Sequence, residues 1–166
     1  PHVDGLFRQP TDVAWDSAGN IYITDGYVNS RVAKFDKNGD WVMSWGSKGT
    51  EPGQFRIPHT IVIDRNDNIY VGDRTNHRIQ VFDKMGNFKR NIWIRTGTPT
   101  LPDPRGTAWW VEFSRDPQQK YMYVMNGRNE NVHVLDHESG KILSTFGRPG
   151  HQIGNFTHGH TMAVDS

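Results

Sequence analysis

The chain has 166 residues, 34% of them hydrophobic, with 19 basic and 18 acidic side chains for a net charge of +1. This length suits one domain, and the balanced charge without a basic run excludes the concentrated positive face that grips nucleic acid. No apolar run approaches the roughly 20 residues of a membrane helix, and zero cysteines exclude disulfides and thiol chemistry.

The elements read as strands throughout, and 17 Gly, 9 Pro and 6 Trp suit an all-β chain with many turns. From Gly5, Val13 to Asp16 reads as a strand, Ser17-Ala18-Gly19-Asn20 as a tight turn and Asn20 to Thr24 as a second strand. A loop after Asp25 leads to Arg31–Asp36, whose alternation marks a half-buried strand, and Trp41–Trp45 closes the unit. The second copy gives Ile61–Asp64, Asn68–Val71, Arg78–Asp83 and Phe88–Ile94. A looser third copy gives Thr107–Phe113, Lys120–Met125, Asn131–Asp136 and Lys141–Phe146. A fourth starts near Gly154 and supplies a first strand. The units run over about 5–49, 50–97, 98–150 and 151–166.

A period near 50 with four short strands per unit is the signature of a β-propeller blade. The fold class is therefore all-β: about three four-stranded blades and the start of a fourth, most simply part of a six-bladed ring. Propellers use about 4 to 8 blades, so the chain reads as a piece of a longer propeller. Self-association of open blade edges is the other route to closure. The chain carries no signal peptide, but it starts at a motif boundary, so a targeting segment upstream is compatible with the reading.

The strand motifs are Gln9-Pro10-Thr11-Asp12-Val13-Ala14, Gly19-Asn20-Ile21-Tyr22-Ile23-Thr24-Asp25, Asn29-Ser30-Arg31-Val32 and, in the second copy, Asn76-His77-Arg78-Ile79-Gln80-Val81-Phe82. They resemble the NHL-repeat family of six-bladed propellers over the whole chain. Within it, Asp25-Gly26-Tyr27 with Pro58-His59 and Asp73-Arg74 looks most like the peptidyl-hydroxyglycine amidating lyases. The resemblance implies cleavage of a peptidyl-α-hydroxyglycine to a peptide amide and glyoxylate. It implies an axial zinc held by three histidines on alternate blades, with a tyrosine and an arginine in catalysis. Residue by residue, His59 and His160 match two of the zinc histidines, Tyr27 the tyrosine and Arg74 the arginine. The remaining histidine and a further arginine would lie on a blade before residue 1, so the zinc site is incomplete in this chain. Thr161 stands where the animal enzymes have an aspartate that helps bind calcium, which argues against calcium. The resemblance also implies an extracytoplasmic or secreted setting.

The residues themselves support an axial site. Phe55 to Asp64 recurs as Phe156 to Asp165, so His59 and His160 occupy equivalent positions 101 residues apart, two blades on. First strands line a propeller's channel, so in a six-bladed ring alternate histidines converge on the axis. Three imidazoles with one open position suit a catalytic zinc. Thr11 holds this register in the first copy, and the third, read at Arg105-Gly106-Thr107, also lacks the histidine. Other readings compete: hydrogen-bonded structural histidines, Tyr27 as an exposed loop aromatic and Arg74 as an ion-pair partner. Arg31 and Arg78, which recur at one register, read as blade-surface ion-pair partners. Asp16, Asp64 and Asp165 read as turn caps. His158 could line the channel, whereas His77, His133, His137 and His151 show no convergent spacing. The leading expectation is a metal-dependent lyase-like propeller acting on a peptide or small molecule at the axis. The alternative is a non-enzymatic scaffold binding a protein or small ligand at the channel mouth.

Overall fold

A computed structural model of the chain describes residues 5–94 and 106–165. The first sheet contains β1 (Asp12–Trp15), β2 (Ile21–Asp25), β3 (Arg31–Phe35) and β4 (Trp41–Trp45), paired in that order. Short strands β5 (Ser47–Lys48) and β6 (Gln54–Phe55) pair in parallel and lead into the second sheet. That sheet contains β7 (Pro58–Ile63), β8 (Ile69–Asp73), β9 (Arg78–Phe82) and β10 (Phe88–Trp93). The third contains β11 (Ala108–Phe113), β12 (Tyr121–Asn126), β13 (Asn131–Asp136) and β14 (Ile142–Phe146). Each large sheet is an antiparallel meander, and the first strands β1, β7 and β11 lie side by side. This is the blade stacking of a β-propeller.

Alternation along each strand sends every second side chain toward a neighbouring sheet. Between the first and second sheets pack Tyr22, Val32, Phe55, Ile61, Val71 and Phe82. Between the second and third pack Tyr70, Ile79, Val111, Phe113, Met122 and Leu135. Burying each large side chain contributes about 1.5–3 kcal/mol, which explains how a chain with few hydrophobic residues holds its blades together. The turns after β1 and β7 close on aspartate. The Asp16 carboxylate accepts the Ala18 and Asn20 backbone N–H groups, and Asp64 accepts those of Asn66 and Asn68.

Two expectations need correction. Arg31 and Arg78 are ion-paired, but inside the sheets. Their Nε atoms lie 3.2 and 2.9 Å from Asp25 and Asp73, with side chains 0% and 2% exposed. Arg31 also donates to the Leu6 carbonyl and Arg78 to those of Glu51 and Gln54, so each cation ties the segment leading into its blade to the sheet. The second concerns the expected first strand of a fourth blade. Residues 161–165 form no ladder, because no second strand pairs with them among the described residues and a strand needs such a partner. The turn before them does repeat: Pro149 bridges Phe156 in parallel, as Lys48 pairs with Phe55.

Candidate functional site

The end of a second strand lies beside the start of the first strand that it pairs with. Residues just after β2 and β8 therefore share one end of the molecule with residues at the start of β7 and β11. Tyr27 follows β2, and Arg74 opens a single-turn 3-10 helix, Arg74–Asn76, after β8. His59 sits at the start of β7, and His160 precedes the final segment. All four sequence-predicted residues meet at this end. The His59 and His160 ring centres are 4.8 Å apart, and the Tyr27 ring centre is 6.0 Å from that of His59. Arg74 is close enough to repel a charge on His59. Gly26 permits the approach of the Tyr27 loop: a Cβ there would collide with the Pro58 carbonyl oxygen.

His59 is set by a bulge. Pro58 pairs with Asp73 and Thr60 with Gly72, which leaves His59 as the extra residue. Bulges re-aim side chains in this way and are frequent beside active sites. The first sheet clamps this bulge on both sides. The Thr11 hydroxyl donates to the Pro58 carbonyl at 2.7 Å. The Asp12 carboxylate accepts the Thr60 hydroxyl and the Ile61 N–H, both at 2.9 Å. Burial pushes the Asp12 carboxyl up from its ordinary value, while those hydrogen bonds pull it down.

Trp109 completes the site, and sequence reasoning missed it. In β11, Ala108 pairs with Asn126 and Trp110 with Met125, so Trp109 is a bulged residue at the position equivalent to His59. This moves the third copy's register from the expected Arg105-Gly106-Thr107 to Trp109; Arg105 itself lies outside the described residues. No histidine stands there either. The Trp109 carbonyl lies 2.7 Å from His59 Nδ1. A carbonyl only accepts, so Nδ1 carries the proton and Nε2 of the neutral ring keeps its lone pair. The Trp109 ring lies 5.5 Å from His160 and 4.2 Å beneath the Arg74 guanidinium.

His59 is 2% exposed. Its imidazole is held down to about 4, chiefly by burial, with Arg74 and His160 adding repulsion; the Trp109 hydrogen bond opposes this. The ring is thus neutral at pH 7, as a metal ligand must be. The His59 and His160 rings meet edge-on, with 4.8 Å between their centres and 64° between their planes. Among the described residues no group of three His, Cys, Asp or Glu side chains is arranged to hold a metal ion. His158 is exposed with left-handed backbone at φ 54°. His133 is buried and hydrogen-bonds Thr145 and Asn126, while His137 bonds Tyr70 and the Gln119 carbonyl. Tyr27 is 47% exposed and stands at the rim.

The family model for the NHL repeat matches residues 7–35 and 55–82. Peptidyl-glycine alpha-amidating monooxygenase A of Xenopus laevis is 45% identical over 151 residues, covering 84% of this chain and 15% of that protein. A probable peptidyl-alpha-hydroxyglycine alpha-amidating lyase of Caenorhabditis elegans is 31% identical, covering 96% of this chain and 45% of that one. Human NHL repeat-containing protein 3 is 40% identical, covering 71% of this chain and 32% of that one. The chain thus spans less than half the length of each of these relatives. Among solved structures, virginiamycin B lyase of Staphylococcus aureus aligns with a TM-score of 0.59 at 16% identity, covering 82% of this chain and 40% of that one. At that identity the likeness concerns the fold alone.

Proposed function

We propose that this chain, which carries NHL repeats in a β-propeller fold, is a lyase-like propeller acting on a peptidyl-α-hydroxyglycine. The reaction gives a peptide amide and glyoxylate. The hydroxyl O–H and the C–N bond of the hydroxyglycine break, a carbonyl forms, and the nitrogen gains a proton, so no oxidant is required. The convergence of Tyr27 and His160 on a neutral, buried His59 supports this reading.

Tyr27, at the rim beside His59, would take the hydroxyl proton and return one to the departing nitrogen. Arg74 offers a planar fork to the substrate carboxylate. Its stacking on Trp109 restricts the guanidinium before substrate arrives. His59 and His160 would hold a zinc ion, which when bound supplies Lewis-acid polarisation of the substrate hydroxyl. The Trp109 carbonyl keeps His59 in the tautomer that presents Nε2.

The test is glyoxylate release from a peptidyl-α-hydroxyglycine by the zinc-supplied full chain. Tyr27→Phe is expected to lower the rate about 100-fold or more. A rate no higher than that of the uncatalysed reaction counts against the proposal. A second reading, a scaffold that binds peptide without turning it over, draws on the two-histidine donor set among the described residues. Saturable peptide binding without glyoxylate would favour it.

A further inference from the structure

A groove opens beside the site and shares Tyr27 with it. Its walls include Val28 on the same loop, Lys48 of β5, Arg56 and Ile57 before β7, and Thr75 after β8. Tyr27, Val28 and Ile57 give it an apolar lining, with Val28 48% exposed. Lys48 and Arg56 give it two cations, and no Asp or Glu lines it. Among the described residues neither cation has an ion-pair partner. The nearby carboxylates do not neutralise them: Asp25 is buried against Arg31 and Asp73 against Arg78. Asp73 accepts the Arg56 backbone N–H, and Arg56 itself is exposed and lines the groove. In a chain with a net charge of +1, two unmatched cations beside exposed apolar side chains make a local recognition feature rather than part of a general basic surface.

We infer that this groove binds an acidic side chain of the peptide substrate, on a residue upstream of the reacting end. The inference rests on the lyase-like reading for the substrate being a peptide and for which end reacts; the charge preference is separately measurable. Tyr27 lines the groove and its ring centre is 6.0 Å from that of His59, so a peptide whose terminus lies beside His59 and Arg74 can continue past Tyr27 into the groove. Lys48 and Arg56 then select Glu or Asp over Gln or Asn, and the apolar walls take the aliphatic part of that side chain.

The test uses the full chain and two dansyl-labelled tripeptide amides that differ only by Glu or Gln at the middle position. Fluorescence titration at low salt is expected to show the Glu peptide binding about three- to tenfold tighter, as two partly exposed ion pairs allow. The preference is expected to disappear at high salt and in the Lys48→Glu, Arg56→Glu double variant. Both side chains are exposed, so the variant should keep its melting temperature. Equal affinities in the wild type, no binding of either peptide, or a preference that survives the double variant would each overturn the inference. Glyoxylate assays on the matching hydroxyglycine peptides separate the two claims. A binding preference without turnover leaves the groove standing and removes the lyase reading; turnover of both peptides at equal KM does the reverse.

Discussion

The backbone carbonyl of Trp109 lies 2.7 Å from Nδ1 of His59, so a bulge in the third sheet fixes the protonation pattern of a bulged histidine in the second. A side-chain acceptor could be removed by mutation or protonation; a backbone carbonyl cannot. The expected consequence is a single neutral tautomer with the proton on Nδ1. Long-range 1H–15N spectra at pH 7 should show His59 Nδ1 as the protonated nitrogen, and zinc addition should shift Nε2. A zinc-induced shift of Nδ1, or an even tautomer mixture, would falsify this account of the ring.

The first sheet holds the same histidine from the other side, through Thr11 on Pro58 and Asp12 on Thr60 and Ile61. Asp12→Ala removes the acceptor of three donors, the Thr60 hydroxyl and the Ile61 and Val13 N–H groups, and the loss should be about 1.5–3 kcal/mol of stability. Thr11→Val keeps the shape and leaves the Pro58 carbonyl without its partner, at a cost of about 1 kcal/mol. Denaturant titration measures both. If the clamp positions His59, Thr11→Ser should restore the wild-type His59 chemical shifts and Thr11→Val should not. Identical His59 shifts in all three proteins would make the contact one of stability only.

Much of the fold was legible in the sequence because its signals are local. The strand at Arg31–Phe35 and the Asp16 and Asp64 turns each follow from a few neighbouring residues, although that strand is buried at Arg31, Val32, Ala33 and Lys34 rather than half-buried as its alternation suggested. The equivalence of His59 and His160 was legible as well, since both copies keep the same spacing around a His-Thr pair. Trp109 was not. It lies 50 residues after His59, whereas Asn126 lies 53 after Asp73. The third copy therefore gains length in the turn between β11 and β12, and its bulge adds an unpaired residue that strand alternation cannot reveal. The burial of Arg31 and Arg78 was hidden for a different reason. Arginine in a strand reads as solvent-facing unless the carboxylate that matches it is known to lie within the same sheet.

The depressed pKa of His59 couples folding to pH. The folded ring holds its proton only below about 4, while the unfolded ring takes one near 6.5. The unfolded state therefore binds more protons between these values, and stability falls as pH drops from about 6.5 to about 4. Above 6.5 the term is constant. His59→Gln removes it and leaves the carboxylates in place, so the stability difference between wild type and variant isolates the histidine. That difference should move against the wild type by about 1–3 kcal/mol across the window. A difference that stays flat from pH 7 to 4 would mean that the ring is hydrated in solution.

Gly127 gives access to the site through Trp109, without altering His59, His160, Tyr27 or Arg74. A Cβ at this position would run into the five-membered ring of the Trp109 indole, at its fusion carbons and Nε1. Gly127 does not have a positive φ, so Gly127→Ala introduces a steric clash and no left-handed backbone strain. Trp109 is 6% exposed and Met125 and Val132 pack around it, so its ring has little room to move. Overpacking of this kind costs about 1–3 kcal/mol. The displaced ring would no longer lie beneath Arg74, and its carbonyl would shift from His59 Nδ1. Gly127→Ala should therefore lower the melting temperature, change the tryptophan fluorescence and push the His59 pKa further below its ordinary value, all together, because the Trp109 hydrogen bond that holds it up is lost. If the melting temperature falls while the His59 titration is unchanged, Trp109 supports the core of the third sheet but does not transmit its position to the histidine.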